Sequence, residues 1–461
     1  MMGMMNFDYC YGAKVYHSIF GYGRVIGYRS RYKQAQVKFE DITLWIEIED
    51  LEKVRPTDAD KLTSASMKKL IDLPSERARK AIEALRLGVV PESEIEEFTF
   101  HRQKEIEQIE QCFEQVEKEG SSSAIIIGEY GTGKSHFLDF ISSKALKKGF
   151  VVAKAEMDIY EIRPHRPKRL YAALMENIKW EPNGSINRLR DFIKFAINDQ
   201  SAIRVMDEHR FFKPILETFI NKESSDLDLI CDFLEGKDGL RVDIIRKNYS
   251  NYKLQALYDS AYAADLYCYI LTGLSNLTRA LGFKGLIILI DEAESINYID
   301  YNEKEKADNL IKGLLLACIK KHYRDKELFH STMRRLTFPY CFSFPSYLFV
   351  ILAMTPRFED YDEPDWYSKV KKIELSTIDE SDMQDIFESL VQIYKIAYPN
   401  FQIEKMDDLK STLFEIWMDF TTERIEFRQA LKCIVEALDI KRHFPKKTLL
   451  IEKKRAKDFW L

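Results

Sequence analysis

The sequence lacks three features that would each assign it to a broad class of proteins. No apolar run approaches the length of a transmembrane helix, and the N-terminus has neither the charged nor the apolar region of a signal peptide. The seven cysteines form no CxxC pair and no Cys/His cluster, which argues against structural zinc and for a reducing compartment. A net charge of −5 gives no whole-chain case for nucleic acid. We therefore expect a cytoplasmic protein with no membrane partner.

A glycine-rich stretch is the most informative feature that is present. It follows an apolar strand, opens an apolar-periodic helix and fits the pattern GxxxxGK[ST]. Its residues are Gly128, Glu129, Tyr130, Gly131, Thr132, Gly133, Lys134 and Ser135, with His136 next. The glycines let backbone N–H groups converge on phosphate oxygens, and the positive end of the helix adds to the field. Lys134 would reach the β- and γ-phosphates and Ser135 would bind Mg²⁺, so the stretch predicts ATP with its metal.

A second motif lies downstream, where a continuous apolar run ends in two acids. Residues 286–290 read as a central parallel strand that is buried on both faces, and Asp291 and Glu292 follow at its carboxyl end. Asp291 would hold the magnesium through its water shell, while Glu292 would accept a proton from the attacking water or orient it. Binding and hydrolysis of ATP therefore both have candidate residues.

Three further positions resemble functional positions of AAA+ ATPases. Thr355 ends a buried strand, as the sensor 1 residue does, although a strand-capping threonine is the alternative. Arg428 resembles the sensor 2 arginine of a lid helix, with Phe427 where proline is usual and Arg424 in reserve. Arg334 and Arg335 precede the Thr355 strand, near where AAA+ proteins often carry an arginine finger for a neighbouring subunit. Such a finger implies a homo-oligomer, and two solvated arginines are the alternative.

The segment around Arg102 resembles the GR-x-x-E segment that covers the adenine in origin-recognition-type AAA+ ATPases. His101 stands in place of the usual glycine, and Glu105 completes the pattern. The resemblance implies that Arg102 contacts the nucleotide.

The first residues read as a small β domain. Alternating apolar residues and glycine-marked turns in residues 10–55 suggest four or five short strands and a small barrel. The pattern resembles the SH3/Tudor-like modules of UvrD-type helicase tails and CarD-type transcription factors, which implies a docking role. Four basic residues on or near one hairpin, with tyrosines interleaved, suggest a nucleic-acid surface, and a solvated edge hairpin is the alternative. These residues are Arg24, Arg29, Arg31 and Lys33.

Most of the chain resembles one family, the BREX-type ATP-binding proteins of phage-defence loci, which are BrxD-like and of AAA+/P-loop class. The resemblance rests on residues 79–91, 131–136, 149–154 and 289–294 and on Leu170-Tyr171. It implies an ATPase encoded beside a helicase in an antiviral cassette and acting on DNA. The partners it implies are therefore DNA and a helicase or other defence protein.

The expected fold class is α/β: an AAA+-like P-loop ATPase, a parallel sheet with helices on both faces, with a helical insertion, a C-terminal helical lid and a small N-terminal β-barrel. The expected segments are an SH3/Tudor-like barrel (1–56), a linker and helix (57–97), the ATPase core (98–376) with an insertion at about 183–265, the lid (377–440) and a basic tail (441–461).

The function expected from these features is ATP hydrolysis that drives assembly or remodelling of a DNA-defence complex. Closing of the lid would bring Arg428 to the phosphate and Glu292 to the water. A nucleotide-gated scaffold with negligible turnover is the alternative. An origin-recognition-like loader would need a winged-helix domain beyond the lid, for which the residues after Asp439 are too few.

Overall fold

The computed structural model describes residues 14–29, 34–38, 43–53, 73–89, 94–181, 187–221, 227–237, 255–260, 263–319, 338–355, 366–376, 378, 380–401, 406–421 and 427–445. They fall into two compact units. One unit is Arg102–Ser376, and the other combines Met1–His101 with Thr377–Leu461. Each unit has a hydrophobic core of its own.

The secondary structure is mixed. The strands are β1 (Lys14–His17), β2 (Gly21–Arg29), β3 (Gln34–Lys38), β4 (Thr43–Glu47), β5 (Leu51–Lys53), β6 (Ser121–Ile127), β7 (Val151–Glu156), β8 (Leu286–Asp291), β9 (Leu348–Met354) and β10 (Lys371–Glu374). The helices are α1 (Ser75–Arg86), α2 (Gln103–Glu119), α3 (Lys134–Lys147), α4 (Pro167–Glu176), α5 (Leu189–Ala196), α6 (Gln200–Val205), α7 (Phe212–Asn221), α8 (Leu227–Leu234), α9 (Ala264–Ala280), α10 (Tyr301–Ala317), α11 (Glu380–Ala397), α12 (Met406–Thr421) and α13 (Phe427–His443). Among these helices, none is long and apolar enough to cross a bilayer.

A five-stranded parallel sheet forms the centre of the Arg102–Ser376 unit. Its strand order is β10-β6-β9-β8-β7, and every neighbouring pair is parallel. Strands β8 and β9 are buried along their whole length, as expected of parallel strands covered by helices on both faces. The expected α/β fold with a central parallel sheet is therefore confirmed.

Helices α2 and α3 pack against this sheet. One face of α2 is apolar, and its Phe113 stacks on Phe150 at 5.5 Å and meets Phe349 edge-on at 5.9 Å, measured between ring centroids. Helix α3 begins directly after Gly133, with Phe137 and Leu138 buried in its first turn. Both helices therefore bury apolar side chains next to the sheet.

Helices fill the long connection between β7 and β8. Helices α5, α6, α7 and α8 lie in the expected insertion, whose limits at about 183–265 stay a prediction. Several of their side chains belong to the same core as the sheet, among them Phe192, Phe212 and Phe233. The Tyr171 hydroxyl also donates to the carbonyl oxygen of Leu234 at 2.6 Å, which ties α4 to the end of α8. This part of the connection is thus packed into the unit.

A fully buried histidine joins two segments of this connection. Nδ1 of His209 accepts from the N–H groups of Phe211 and Phe212 at 3.2 and 3.1 Å, and Nε2 lies 3.3 Å from the carbonyl oxygen of Tyr269. The neutral tautomer with its proton on Nε2 satisfies all of these contacts. Burial lowers the pKa of His209 to about 3. A Cβ on Gly273 would come 1.9 Å from Nε2, so only glycine fits at that point of α9.

Helices α1, α11, α12 and α13 form a second core, in the other unit. Arg86 of α1 donates to both carboxylate oxygens of Asp439, each at 2.6 Å, and to the Tyr398 hydroxyl at 3.0 Å. Burial acts to raise the pKa of Asp439, but hydrogen bonds from Arg86 and Tyr394 outweigh it and hold that pKa below its usual value. The helices predicted after residue 376 therefore exist, and their role as a lid stays a prediction.

The N-terminal strands form a separate antiparallel sheet in the order β4-β3-β2-β1-β5. Its small core contains Val15, Val25, Val37, Ile46 and Leu51. The register of β2 against β3 shifts between Val25 and Gly27, which is the signature of a β-bulge. Closure of the sheet into an SH3/Tudor-like barrel stays a prediction.

Acid should destabilise the larger unit through His209. Because the folded pKa is about 3 and the ordinary value is 6.5, the unfolded chain binds more protons between these values. The contribution of neutral His209 to the free energy of unfolding is therefore complete above about pH 6.5 and is lost as the pH falls toward 3. Urea unfolding at pH 7 and pH 5, followed by tryptophan fluorescence, measures this loss.

The matched variants are His209→Gln, which has no titrating ring, and His443→Gln at an exposed site. His209→Gln should have a lower free energy of unfolding than the wild type at pH 7, but it should lose less of that free energy between pH 7 and pH 5. Equal losses in the wild type and both variants would contradict this account.

Candidate phosphate-binding site

A glycine-rich loop, residues 128–133, joins β6 to α3 at the carboxyl edge of the parallel sheet and is called the phosphate loop here. Gly131 and Gly133 have φ angles of 79° and 89°, in the left-handed region that favours glycine. A Cβ built on either residue would meet no atom within 4 Å, so their backbone borders open space. The loop can thus present N–H groups to an anion at the positive end of α3.

The side chain of Lys134 lies folded against this loop. It is buried, and its Nζ donates to the carbonyl oxygens of Gly128 at 3.0 Å and Glu129 at 3.3 Å. These bonds hold the ammonium group within the loop. A phosphate group arriving at the loop would offer the ammonium a charged acceptor, which makes a stronger hydrogen bond than a carbonyl.

A tight turn inside the loop depends on Gly128 and Thr132. The Thr132 hydroxyl and N–H both donate to the carbonyl oxygen of Glu129, at 2.8 and 3.2 Å. A Cβ on Gly128 would lie 2.5 Å from the Thr132 Oγ1 and 3.3 Å from the Leu375 Cβ. Glu129 and Tyr130 point out of the turn and are exposed, and Ser135 and His136 are half-buried in the first turn of α3.

Two acids stand at the end of β8. Asp291 is only 2% exposed, and one of its carboxylate oxygens accepts from the N–H of Glu292 at 3.0 Å. Glu292 has a φ of 51°, which is uncommon for a residue with a side chain and is typical of functional sites. Burial, followed by the charges of Glu294 and Asp291, raises the pKa of Glu292 to about 7, and Lys134 acts in the opposite direction.

Glu294 is a residue to which the sequence analysis gave no role. It is only 6% exposed, and among the described residues its Oε2 has no hydrogen-bond partner. The charge of its carboxyl group contributes to the raised pKa of Glu292. The signal in the sequence was a third acid two positions after Glu292, at the start of a 3₁₀ helix, Ala293–Tyr298.

Thr355 lies between the two motifs because of the strand order. Its strand, β9, pairs with β6 on one side and β8 on the other, and Thr355 follows Met354, which is level with Ile127. The half-buried Thr355 therefore stands at the same edge as the loop and the acids. The sheet thus brings the phosphate loop, Thr355 and the two acids to the ends of three neighbouring strands.

Arg102 is placed next to the phosphate loop. Its Nη2 donates to the carbonyl oxygen of Thr132 at 2.8 Å, and its Nη1 donates to the carbonyl oxygen of Ser376 at 2.5 Å. Both ends of the guanidinium therefore bind protein groups, and contact with adenine stays a prediction.

The remaining predicted positions lie in the other unit or outside the described residues. Arg428 is exposed on α13, in the other unit. Arg24 and Arg29 lie on β2, where they pair with Lys38 and Gln34 of β3. Five predicted residues lie outside the described residues: Arg31, Lys33, Arg334, Arg335 and the reserve candidate Arg424.

The side chains at the strand ends fit a nucleotide with magnesium. The loop offers N–H groups and an ammonium group to phosphate, and Asp291 and Ser135 offer oxygen ligands. Magnesium usually takes one or two protein ligands and completes its shell with phosphate oxygens and water. The described residues contain no group of three or more His, Cys, Asp or Glu that could hold a metal by themselves.

Comparison with known proteins identifies one family. The family model for the BREX system ATP-binding protein BrxC/D matches residues 73–223 and 263–453. The match contains the phosphate loop and the two acids, and it omits residues 1–72 and 224–262. No curated protein matches the chain.

Adding a methyl group at Gly128 should distort the phosphate loop. In Gly128→Ala the new Cβ would displace Thr132 and disturb the turn that holds Glu129, so ATP affinity should fall about tenfold. Titration with a fluorescent ATP analogue measures the change. Removing Oγ1 in the double variant Gly128→Ala/Thr132→Ala should restore most of the affinity, with Thr132→Ala alone as the control. A double variant that binds no better than Gly128→Ala would contradict this packing argument.

Proposed function

Because the chain belongs to the BrxC/D family of BREX system ATP-binding proteins, we propose that it hydrolyses ATP and uses the cycle to assemble or remodel a DNA-acting complex of phage defence. A helicase or another protein of the same system is the proposed partner, and the cytoplasm is the proposed location.

One observation carries the proposal of hydrolysis. The phosphate loop and the Asp291-Glu292 pair follow strands that are separated by β9 alone, and all of these strands end at one edge of the sheet. A phosphate held by the loop would therefore lie on the side of the acids. Binding alone would require only the loop, whereas hydrolysis also requires a carboxylate beside it.

In the proposed mechanism, each residue at this edge has a separate task. The N–H groups of Gly131 and Gly133 and the ammonium group of Lys134 bind the phosphates. Asp291 and the Ser135 hydroxyl hold magnesium, which, when bound, neutralises the charge that develops on the phosphate. Glu292 then orients a water molecule and accepts its proton.

Thr355 and three arginines complete the proposal. Thr355, at the end of β9, would donate a hydrogen bond to the γ-phosphate or the attacking water. Arg428 would act as the sensor of the helical lid, and Arg334 or Arg335 would reach the site of a second copy of the chain. The first role is supported by the place of β9 in the sheet, and the arginine roles are supported by sequence resemblance alone.

A nucleotide-gated scaffold is the second candidate function. The observation that favours it is the glycine-rich loop itself, because the open backbone of Gly131 and Gly133 and the buried ammonium group of Lys134 would be enough for binding alone. In this case ATP binding would set the assembly of the complex and turnover would be negligible.

Substitution of the loop lysine and of the catalytic acid should separate binding from turnover. Lys134→Ala should abolish ATP binding, because the phosphates lose their only cationic ligand from the loop. Glu292→Gln should bind ATP as the wild type does and hydrolyse it at least a hundredfold more slowly, since general base catalysis contributes factors of about this size. Equilibrium binding and phosphate release measure the two effects, and normal turnover by either variant would refute the site assignment.

The N-terminal module is proposed to select the partner or DNA. Its five-stranded sheet has its own small core, and residues 1–72 lie outside the family match. Arg24, Arg29, Arg31 and Lys33 are the proposed nucleic-acid contacts. A module outside the part of the chain that carries the ATP site is well suited to docking, because it can change without disturbing that site.

Deletion of residues 1–56 should leave basal ATP hydrolysis within about twofold of the full chain while weakening association with DNA or the partner. The physical reason is that both motifs and their sheet lie in the Arg102–Ser376 unit. Phosphate release and DNA-binding titrations on both proteins provide the measurement. Loss of basal hydrolysis in a folded deletion variant would show instead that the module belongs to the catalytic unit.

A further inference from the structure

One buried guanidinium connects the phosphate loop with the residue after the last strand of the sheet. Arg102 is 7% exposed. Its Nη2 donates to the carbonyl oxygen of Thr132 at 2.8 Å, and its Nη1 donates to the carbonyl oxygen of Ser376 at 2.5 Å and lies 3.2 Å from the Ser376 hydroxyl. Arg102, Thr132 and Ser376 lie in three separate segments of the sequence, and the Arg102 side chain links them.

A buried carboxylate completes the cluster. The Oε1 of Glu105, which is 3% exposed, accepts from the Ser376 N–H at 3.0 Å and from the Ser376 hydroxyl at 2.8 Å. The same oxygen lies 3.6 Å from Nη1 of Arg102, one turn away on α2. The buried cation thus has a buried anion beside it, and both share Ser376. Removing one member of such a pair is costly, because the other is left uncompensated.

The cluster joins the first and the last residue of the larger unit. That unit begins at Arg102 and ends at Ser376. The neighbouring Leu375 also donates its N–H to the carbonyl oxygen of Ile127 at 2.8 Å, directly before the phosphate loop. The two points at which the chain enters and leaves the unit are therefore bonded to each other and to the loop.

The bond to Thr132 also determines the direction of an N–H group in the loop. A trans peptide unit is planar, and its C=O and N–H bonds point in opposite directions. Because Arg102 holds the Thr132 carbonyl on its own side, the N–H of Gly133 points to the other side. A Cβ on Gly133 would meet no atom within 4 Å, so its backbone borders the open space of the loop. Arg102 therefore orients a donor that phosphate can use.

From this geometry we propose that Arg102 is a positioning residue that orients the phosphate loop and couples it to residues 371–376 and the start of α2. The proposal rests on the proposed function, since it concerns the same ATP site. Both terminal nitrogens of Arg102 are bonded to protein, so the residue acts on the nucleotide through the loop. If nucleotide binding changes the conformation of the loop, the hydrogen bonds of Arg102 change with it. Those bonds would pass the change on to Ser376 and to the start of α2.

Arg102→Lys gives the first test. Lysine keeps the charge, but its single nitrogen cannot span Thr132 and Ser376. We expect about tenfold weaker binding of ATP and a similar loss for inorganic tripolyphosphate, which has no base. A contact with adenine would weaken ATP alone. Lys104→Ala, at the exposed neighbouring site, is the control and should bind both probes as the wild type does.

Hydrogen exchange at saturating ATP gives the second test. In the wild type, ATP should protect residues 128–135 and also change exchange in residues 371–376. Arg102→Lys should keep the first effect and lose the second. Ser376→Ala, which removes only the hydroxyl, should reduce the second effect, and it supplies the same test if Arg102→Lys does not fold.

Each contrary result has a distinct meaning. Unchanged affinity in Arg102→Lys, loss for ATP alone, or an intact effect at residues 371–376 in both variants would overturn the proposal. Wild-type protection at the loop without any effect at residues 371–376 would overturn the coupling and leave the ATP site standing. Absence of protection at the loop in the wild type would overturn the proposed function, and the coupling with it.

Discussion

Parallel pairing of β9 with β6 on one side and β8 on the other is the constraint on which the candidate site depends. Parallel strands end at the same edge of a sheet, and neighbouring strands lie about 4.8 Å apart. The phosphate loop and the acidic pair are therefore held roughly 10 Å apart, with Thr355 between them. The chain reaches this arrangement only because the helices between β7 and β8 return it to the sheet. The packing of α4 to α9 thus contributes to the site, although it supplies none of the proposed ligands.

The energetic cost of the site is concentrated in a few residues. Glu292 adopts a left-handed backbone conformation, and it lies beside two other carboxylates, Asp291 and Glu294. Like charges and burial both disfavour the ionised form of this side chain. A cation near Asp291 would relieve the repulsion, which gives a physical reason for magnesium to favour the active form. The surrounding polar contacts of Lys134 and Arg102 keep the loop in place before any ligand arrives.

The sequence was sufficient to predict the parts of the fold that depend on local pattern. The apolar runs of β8 and β9 and the glycines before α3 correctly indicated buried strands and a glycine-rich loop at a strand end, and phosphate binding by that loop stays a prediction. The sequence did not indicate the strand order, because pairing between β6 and β9 joins residues more than 200 positions apart. For the same reason the contacts of Arg102 with Ser376 and of His209 with the helix around Gly273 had no local signal. The roles of Arg428 and of the basic hairpin still rest on the sequence alone.

Steady-state phosphate release by the purified 461-residue chain is the most direct test of ATP hydrolysis at this site. The reaction would be followed with ATP and Mg²⁺, alone and with single- or double-stranded DNA, and repeated with the metal chelated. We expect turnover that requires Mg²⁺ and rises when DNA is present. Tight ATP binding with no phosphate release under any of these conditions would contradict it and favour a nucleotide-gated scaffold.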